Sequence, residues 1–399
     1  LETLLWTGLG LAAAGYLGLL AAALLTRATL PNLRAVSPVH EGAFPSLAVI
    51  VAARDEERGI EAAMRSLLAQ DYPALEVIAV DDRSTDATGA ILDRLAAEDP
   101  RLRPVHVREL PAGWLGKCHA QHVGAQAAQA SYLLFTDGDI LFDPDALKRA
   151  VAYAEAHRLD HVVAFPHMLA PGFVERAFVS SFGLLLLPKL RTWTLRRAGG
   201  RGYVGVGAFN LVRAEAWRAI GGHERLRLEV VDDVRLGYLL RRLGHRQAAL
   251  DSGGLVRVRW NEGFRGSWRG LLKNTFAGAE WSWTQALAGS ALLSAMALAP
   301  PAAVALGGGD AVRAAGLGIG ALAAAIHSAA AWRIARGSGL EGLLAPLALL
   351  ALAGAILASA ALAHWRGGIE WRRTRYPLPA LRAGCVREAS LPASGAVGW

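Results

Sequence analysis

Acidic residues recur in this chain where short apolar runs end. The stretch LLFTDGDI, residues 133–140, closes such a run with Asp137 and Asp139, separated by one glycine. Two carboxylates that close raise each other's pKa unless a positive charge intervenes. An exposed turn would solvate them. Here LLF precedes the pair and Ile140-Leu141-Phe142 follows it, which argues for partial burial. Buried paired carboxylates need a cation. Hard divalent ions, Mg2+ or Mn2+, take oxygen ligands and bridge to substrate phosphates. A glycine between the ligands lets a diphosphate approach the backbone.

Three further stretches repeat the pattern. VIVAARDEE (49–57) runs from apolar residues into Asp55, Glu56 and Glu57. VIAVDDRSTDAT (77–88) places Asp81 and Asp82 at a strand end, with Ser84, Thr85 and Asp86 as N-caps for a following helix. The plain account is a well-capped turn; the functional one has an aspartate accept hydrogen bonds from a nucleobase or ribose. LEVVDDVRLGYLLRRLG (228–244) sets Asp232 and Asp233 at a helix start, where carboxylates meet the positive end of the dipole. Capping explains them; so does a general base that deprotonates an acceptor hydroxyl.

The elements that must position these groups follow from the pattern. Strands are predicted at 47–52, 75–80, 103–107 and 131–136, and helices at 57–70, 86–98 and 117–129. Alternation of this kind implies a mostly parallel α/β sheet with helices on both faces. Ligands bind such sheets beyond the carboxyl ends of the strands, where the acidic residues lie.

The 399 residues are 53% hydrophobic and only 19% charged, which suits a protein part membrane-embedded and part water-exposed. Residues 4–25 are uncharged and long enough to cross a bilayer, and Arg27 and Arg34 follow them. The positive-inside rule then puts the next domain in the cytoplasm. A cleaved signal peptide is disfavoured by the missing basic n-region. Apolar segments near 286–306, 312–332 and 343–363 form a second membrane region, with Pro300-Pro301 kinking the first. Residues 173–190 read as a core helix or an interfacial one. The expected division is an anchor at 1–26, a catalytic domain at 45–280, a membrane domain at 284–365 and a basic polar tail at 366–399. Four crossings would return this arginine-rich tail to the outside, unless one segment is re-entrant.

The net charge of +8 calls for an anionic partner. Arginines at 191–201, 241–246 and 366–375 come with no nucleic-acid recognition module, so membrane headgroups are the better account. Cys118 and Cys385 are the only cysteines, which rules out a disulfide framework. Cys118, His119 and His122 lack a second ligand pair at zinc spacing.

The ordered set VIVAARDEE, VIAVDDRSTDAT, LLFTDGDI, GAFNLVRAEAWRAIGGHE and VVDDVRLGYLLRRLG resembles the family 2 glycosyltransferases of GT-A fold, across about 45–280. GWLGK (113–117), LLKNTFAG (271–278) and IEWRRTRY agree with membrane-bound members that glycosylate lipids or polysaccharide precursors. The resemblance implies a nucleotide-sugar donor and inversion by direct displacement. It makes Asp82, with Asp81 beside it, the nucleobase reader, and Asp137 and Asp139 the holders of metal and donor diphosphate. Glu56 and Lys117 would line the nucleotide pocket, and Asp233 would be the base with Asp232 as neighbour. Ala52 and Asp55 depart from the frequent proline and asparagine, and no Gln-x-x-Arg-Trp follows Asp233. That second absence favours transfer of one sugar to a lipid or lipid-linked acceptor over polysaccharide synthesis. An integral protein of the inner (plasma) membrane is implied. A nucleotidyltransferase explains Asp232-Asp233 and the helical tail less well, and the intact carboxylates at all the expected places argue against a non-catalytic membrane scaffold.

Overall fold

The computed structural model describes residues 1–197 and 199–387, which divide into two compact units. One contains Leu30–His167, Thr192–Val258 and the described residues from Pro379 on; the other contains Leu1–Thr29, Met168–Arg191 and Arg259–Leu378.

The first unit is built on a seven-stranded sheet. Its strands are β1 (Leu47–Ala53), β2 (Leu75–Asp82), β3 (Leu102–Val107) and β4 (Tyr132–Asp137), then, beyond β5 (Ile140–Phe142), β6 (His161–Phe165). After the two-residue β7 (His167–Met168) come β8 (Asn210–Arg213) and β9 (Gln247–Asp251). The order is β3-β2-β1-β4-β8-β6-β9, and β5 pairs separately with β10 (Val256–Val258). Neighbours run parallel except around β8, which is antiparallel to both β4 and β6. The sheet is therefore mixed, with a mostly parallel half that carries the acidic motifs.

The run LAVIVAA of β1 is apolar on both faces because helices cover both faces of a parallel sheet. Helices Ile60–Leu68, Thr88–Glu98 and Gly116–Ala127 make the crossovers that parallel strands require. The first three strands step outward from β1, and the chain then returns to place β4 on the other side of β1. This reversal opens a crevice at the carboxyl ends. Register fixes what lines it: Ala53 of β1 pairs with Asp81, and Ala52 pairs with Asp137.

The second unit is helical. Glu2–Thr29, Trp283–Leu306, Asp310–Ala335 and Leu340–Trp365 are long and apolar enough to cross a membrane. Small residues bring them close: a Cβ on Gly15 would lie 2.5 Å from the Met296 sulfur. Beside it the Tyr16 hydroxyl donates to the Met296 carbonyl at 3.1 Å. Phe173–Leu190 forms one helix, with Phe178, Val179 and Leu184 in the core of this unit and the Ser181 hydroxyl 2.7 Å from His327 Nδ1. Trp283 Nε1 donates to His364 Nε2 at 3.2 Å, so the start of one apolar helix and the end of another lie side by side.

The units cut across the division expected from the sequence, since 168–191 and 259–278 group with the apolar helices. The basic tail is also folded as far as it is described. Gly368–Trp371 pairs with Thr374–Pro377 through a turn in which Arg372 and Arg373 take φ of 49° and 64°. Two positive φ values suit the right-handed twist of a hairpin, yet the turn lacks the usual glycine or asparagine that would announce it. Helix Leu378–Gly384 follows, and residues 388–399 lie outside the described part of the expected tail.

Candidate active site

The loops after β1 and β2 are joined by side chains that cap each other's backbone. Asp55, at φ 53°, accepts from the Thr85 N–H at 2.8 Å and donates its own N–H to the Ser84 hydroxyl at 3.0 Å. The Glu56 N–H donates to the Thr88 hydroxyl at 2.8 Å, and the Glu57 N–H to Asp86 at 3.0 Å. An aspartate tolerates this left-handed position because its short side chain bonds locally. The lattice holds Glu56 at the crevice, where a Cβ on Gly138 would lie 3.7 Å from its Cγ.

The neighbouring aspartates of β2 do different work. Asp81 accepts from the Ser84 N–H at 3.1 Å and meets His106 Nδ1 at 3.0 Å, while Asp93 meets the other ring nitrogen at 2.9 Å. Asp82 is 4% exposed and lies against Arg83, with Nε at 2.8 Å, and Arg54 at 3.8 Å. Helix Gly116–Ala127 starts over it. A Cβ on Gly116 would come 2.2 Å from Asp82 Oδ2, so only glycine lets the helix begin there.

The next residue of that helix, Lys117, binds Asp137 at 2.6 Å and lies 3.8 Å from Asp232. Burial alone would push its pKa down, but Asp137, Asp232 and Asp233 together hold it well above the ordinary lysine value. The ammonium stays charged. Asp233 accepts from the Gly207 N–H at 2.7 Å and from the Val234 N–H at 2.8 Å. Burial raises its pKa and Asp137 adds to the rise; Lys117 and the two N–H donors oppose it. A Cβ on Gly207 would sit 2.7 Å from Asp137, 3.3 Å from Lys117 and 3.5 Å from Asp233, so the three side chains converge on one backbone position.

Asp139 completes the group. Burial, then Asp137, then Glu56 push its carboxyl up to about 7. Among the described residues no three His, Cys, Asp or Glu side chains form a complete metal shell. Two adjacent carboxylates, one of them raised by the other, nevertheless fit Mg2+ or Mn2+. Such ions keep waters and substrate phosphates as their remaining ligands.

These sheet-end loops fall within residues 48–219, which match the model of glycosyl transferase family 2. Residues 48–219 form a family 2 glycosyl transferase domain. The chain is similar over 237 residues, at 24% identity, to 4,4'-diaponeurosporenoate glycosyltransferase of Staphylococcus aureus strain MRSA252, covering 59% of this chain and 62% of that one. The protein of the same name from strain bovine RF122 / ET3-1 is 25% identical over 194 residues, covering 48% of this chain and 50% of that one. The chain thus spans between half and about three-fifths of these relatives. A mannosyltransferase from Pyrobaculum calidifontis, solved in complex with GDP-Man and Mn2+, aligns with 91% of this chain and 99% of its own. Its TM-score is 0.60 at 21% identity, which establishes a GT-A-like fold.

In the family 2 domain and the helix beyond it, Glu56, Lys117, Asp137, Asp139, Asp232 and Asp233 are linked by these contacts and charges. Asp81 and Asp82 lie next to them on β2, the first turned towards His106 and the second towards Arg83. Sequence reasoning missed Arg54 and Arg83 on Asp82, and the glycine loop 202–207. The alternating glycines of GYVGVG were the available signal. A Cβ on Gly205 would lie 1.7 Å from the Asp233 carbonyl, and one on Gly237 would lie 1.7 Å from the Val204 carbonyl. Loop and helix meet backbone to backbone. Cys118 is buried, with its thiol 3.5 Å from the Glu229 carbonyl, whereas His119 and His122 face Trp114 at ring distances of 5.5 and 5.0 Å.

His106 supplies a pH test of this frame. Asp81 and then Asp93 raise its pKa. A raised histidine stabilises the fold below its unfolded pKa of about 6.5 and loses that contribution as pH rises through the folded value. His106→Gln should therefore lower the thermal midpoint more at pH 6 than at pH 9; an equal loss at both would reject the charge-based account.

Proposed function

We propose that the chain transfers a single sugar, with inversion, from a nucleoside-diphosphate sugar to a lipid or lipid-linked hydroxyl. The convergence of Asp137, Lys117 and Asp233 on Gly207 carries this reading, because it sets a basic carboxylate beside a site for anionic phosphate. The name of the Staphylococcus relatives, 4,4'-diaponeurosporenoate glycosyltransferase, supports a lipid-like acceptor. The GDP-Man in the Pyrobaculum structure supports a nucleotide-sugar donor.

On this reading Asp81 or Asp82 receives the nucleoside and Glu56 lines its pocket. Asp137 and Asp139 would hold a divalent ion, which when bound neutralises charge on the departing diphosphate. Lys117 keeps a fixed positive charge beside Asp137. The raised pKa of Asp233 makes it a better base than an exposed aspartate. It accepts the acceptor O–H proton as that oxygen forms its bond to the anomeric carbon and the bond to diphosphate breaks. One displacement at one carbon inverts configuration, and no enzyme nucleophile is needed. Asp232, 3% exposed, adds negative charge that helps hold the Lys117 ammonium in place.

The test uses membranes containing the full chain, a radiolabelled nucleotide sugar and lipid extraction. Label should move to the lipid phase, stop with EDTA and return with Mg2+ or Mn2+. Asp233→Asn should reduce transfer by at least about 100-fold, the scale of a lost general base, while donor binding persists. Formation of sugar 1-phosphate from the nucleotide sugar on addition of pyrophosphate would instead support a nucleotidyltransferase, and full turnover by Asp233→Asn would remove the base assignment.

The apolar helices suit an integral membrane protein, and we place the family 2 domain at the cytoplasmic face of the plasma membrane. The Trp283–His364 contact argues for an even number of crossings between these residues, so one of the three apolar segments in that interval is re-entrant. The arginine-rich hairpin then lies on the side where Trp283 begins, in keeping with the positive-inside rule. Single cysteines at Glu280 and Arg373, in a chain lacking Cys118 and Cys385, should label from the same side of sealed vesicles. Labelling from opposite sides would restore three full crossings.

A further inference from the structure

We infer that the segment Leu381–Val386 clamps the loop carrying Asp232 and Asp233, with Glu229 as the positioning residue that joins them. The catalytic consequence rests on the role of Asp233 proposed above; the clamp itself does not. Glu229 stands three residues before Asp232 and is 3% exposed. A carboxylate so buried must be paired and hydrogen-bonded. It accepts the Val386 N–H, and its Oε1 lies 3.9 Å from Nε of Arg235, which is 4% exposed and three residues after Asp232. One side chain therefore links the segment to the first turn of the helix that presents the aspartates.

The backbone on either side is held too. The Glu229 carbonyl is 3.5 Å from the thiol of Cys118, the residue after Lys117. Next to Glu229, Leu228 meets the segment so closely that a Cβ on Gly384 would lie 2.6 Å from its Cβ. Leu381, Cys385 and Val386 are all buried, and all belong to the sheet unit. The contact contains none of the residues given a catalytic or donor-binding role above. Its effect is on where Asp233 stands, and a misplacement of about 1 Å is enough to cost on the order of 100-fold in rate.

Val386→Pro tests the clamp with the smallest change, since it deletes the N–H that Glu229 accepts and leaves Glu229 in place. Hydrogen–deuterium exchange of 229–236 in the full-length chain should speed up by about 10-fold, as expected when a local contact of ordinary hydrogen-bond strength is lost. Gly384→Ala, which pushes the segment off Leu228 and keeps every donor, should show the same loss of protection. In the lipid-transfer assay both variants should lower kcat by about 10-fold and leave the donor KM within about 2-fold, as for a misplaced base. A purely structural role would lower the thermal midpoint and protection throughout the sheet. Unchanged exchange at 229–236 in both variants, or loss of protection across the whole sheet, would overturn the clamp. Because exchange is read without turnover, a failure of the proposed activity would leave this result intact.

Discussion

The geometry of this site depends on one ammonium group. Lys117 lies 2.6 Å from Asp137 and 3.8 Å from Asp232, and it also faces Asp233. Without it, carboxylates from β4 and from the helix Asp232–Arg242 would repel across a poorly hydrated crevice. With it, each is fixed near the others, while Asp139 is left raised to about 7 by burial and then by Asp137 and Glu56. The imbalance is local: one side of the group is neutralised by the lysine and the other is not. This division of labour suits the proposed function, which sets an anionic diphosphate next to a basic carboxylate.

Lys117 can do this only because backbone comes unusually close around it. Gly116 lets its helix begin over Asp82, Gly207 leaves room for three side chains, and Gly205 and Gly237 let a loop lie directly on the helix that carries Asp233. Any side chain at these points would move a charged group by more than the tolerance of the hydrogen bonds that orient it. The glycines therefore act on chemistry through distance, and the clamp at Glu229 extends the same logic to the loop before Asp232.

Much of this was legible in the chain. The strands at 47–52, 75–80 and 131–136 each appear with one residue or two added at the carboxyl end, and the same apolar runs that mark them force both faces of the sheet to be covered. The carboxylates fall at strand ends because a buried strand can accept charge only where it leaves the core. Less was legible where signals were local or shared between distant residues. The antiparallel β8 carries an ordinary apolar run, so nothing in NLVR marked its direction. The hairpin of the basic tail used arginines at positive φ, and charge hid its fold.

The sequence by itself determined the class of fold, the apolar helices and the acidic residues, because periodicity and burial act along the chain. Only the tertiary structure decided how the adjacent aspartates divide. Asp81 turns to His106, Asp82 to Arg83, and Asp137 to Lys117, a choice set by which neighbouring strand or helix reaches each carboxylate. LLFTDGDI announced a need for positive charge. That a lysine from the preceding helix meets one of its aspartates follows from the register of β1 and β4 and from a glycine that lets the helix approach.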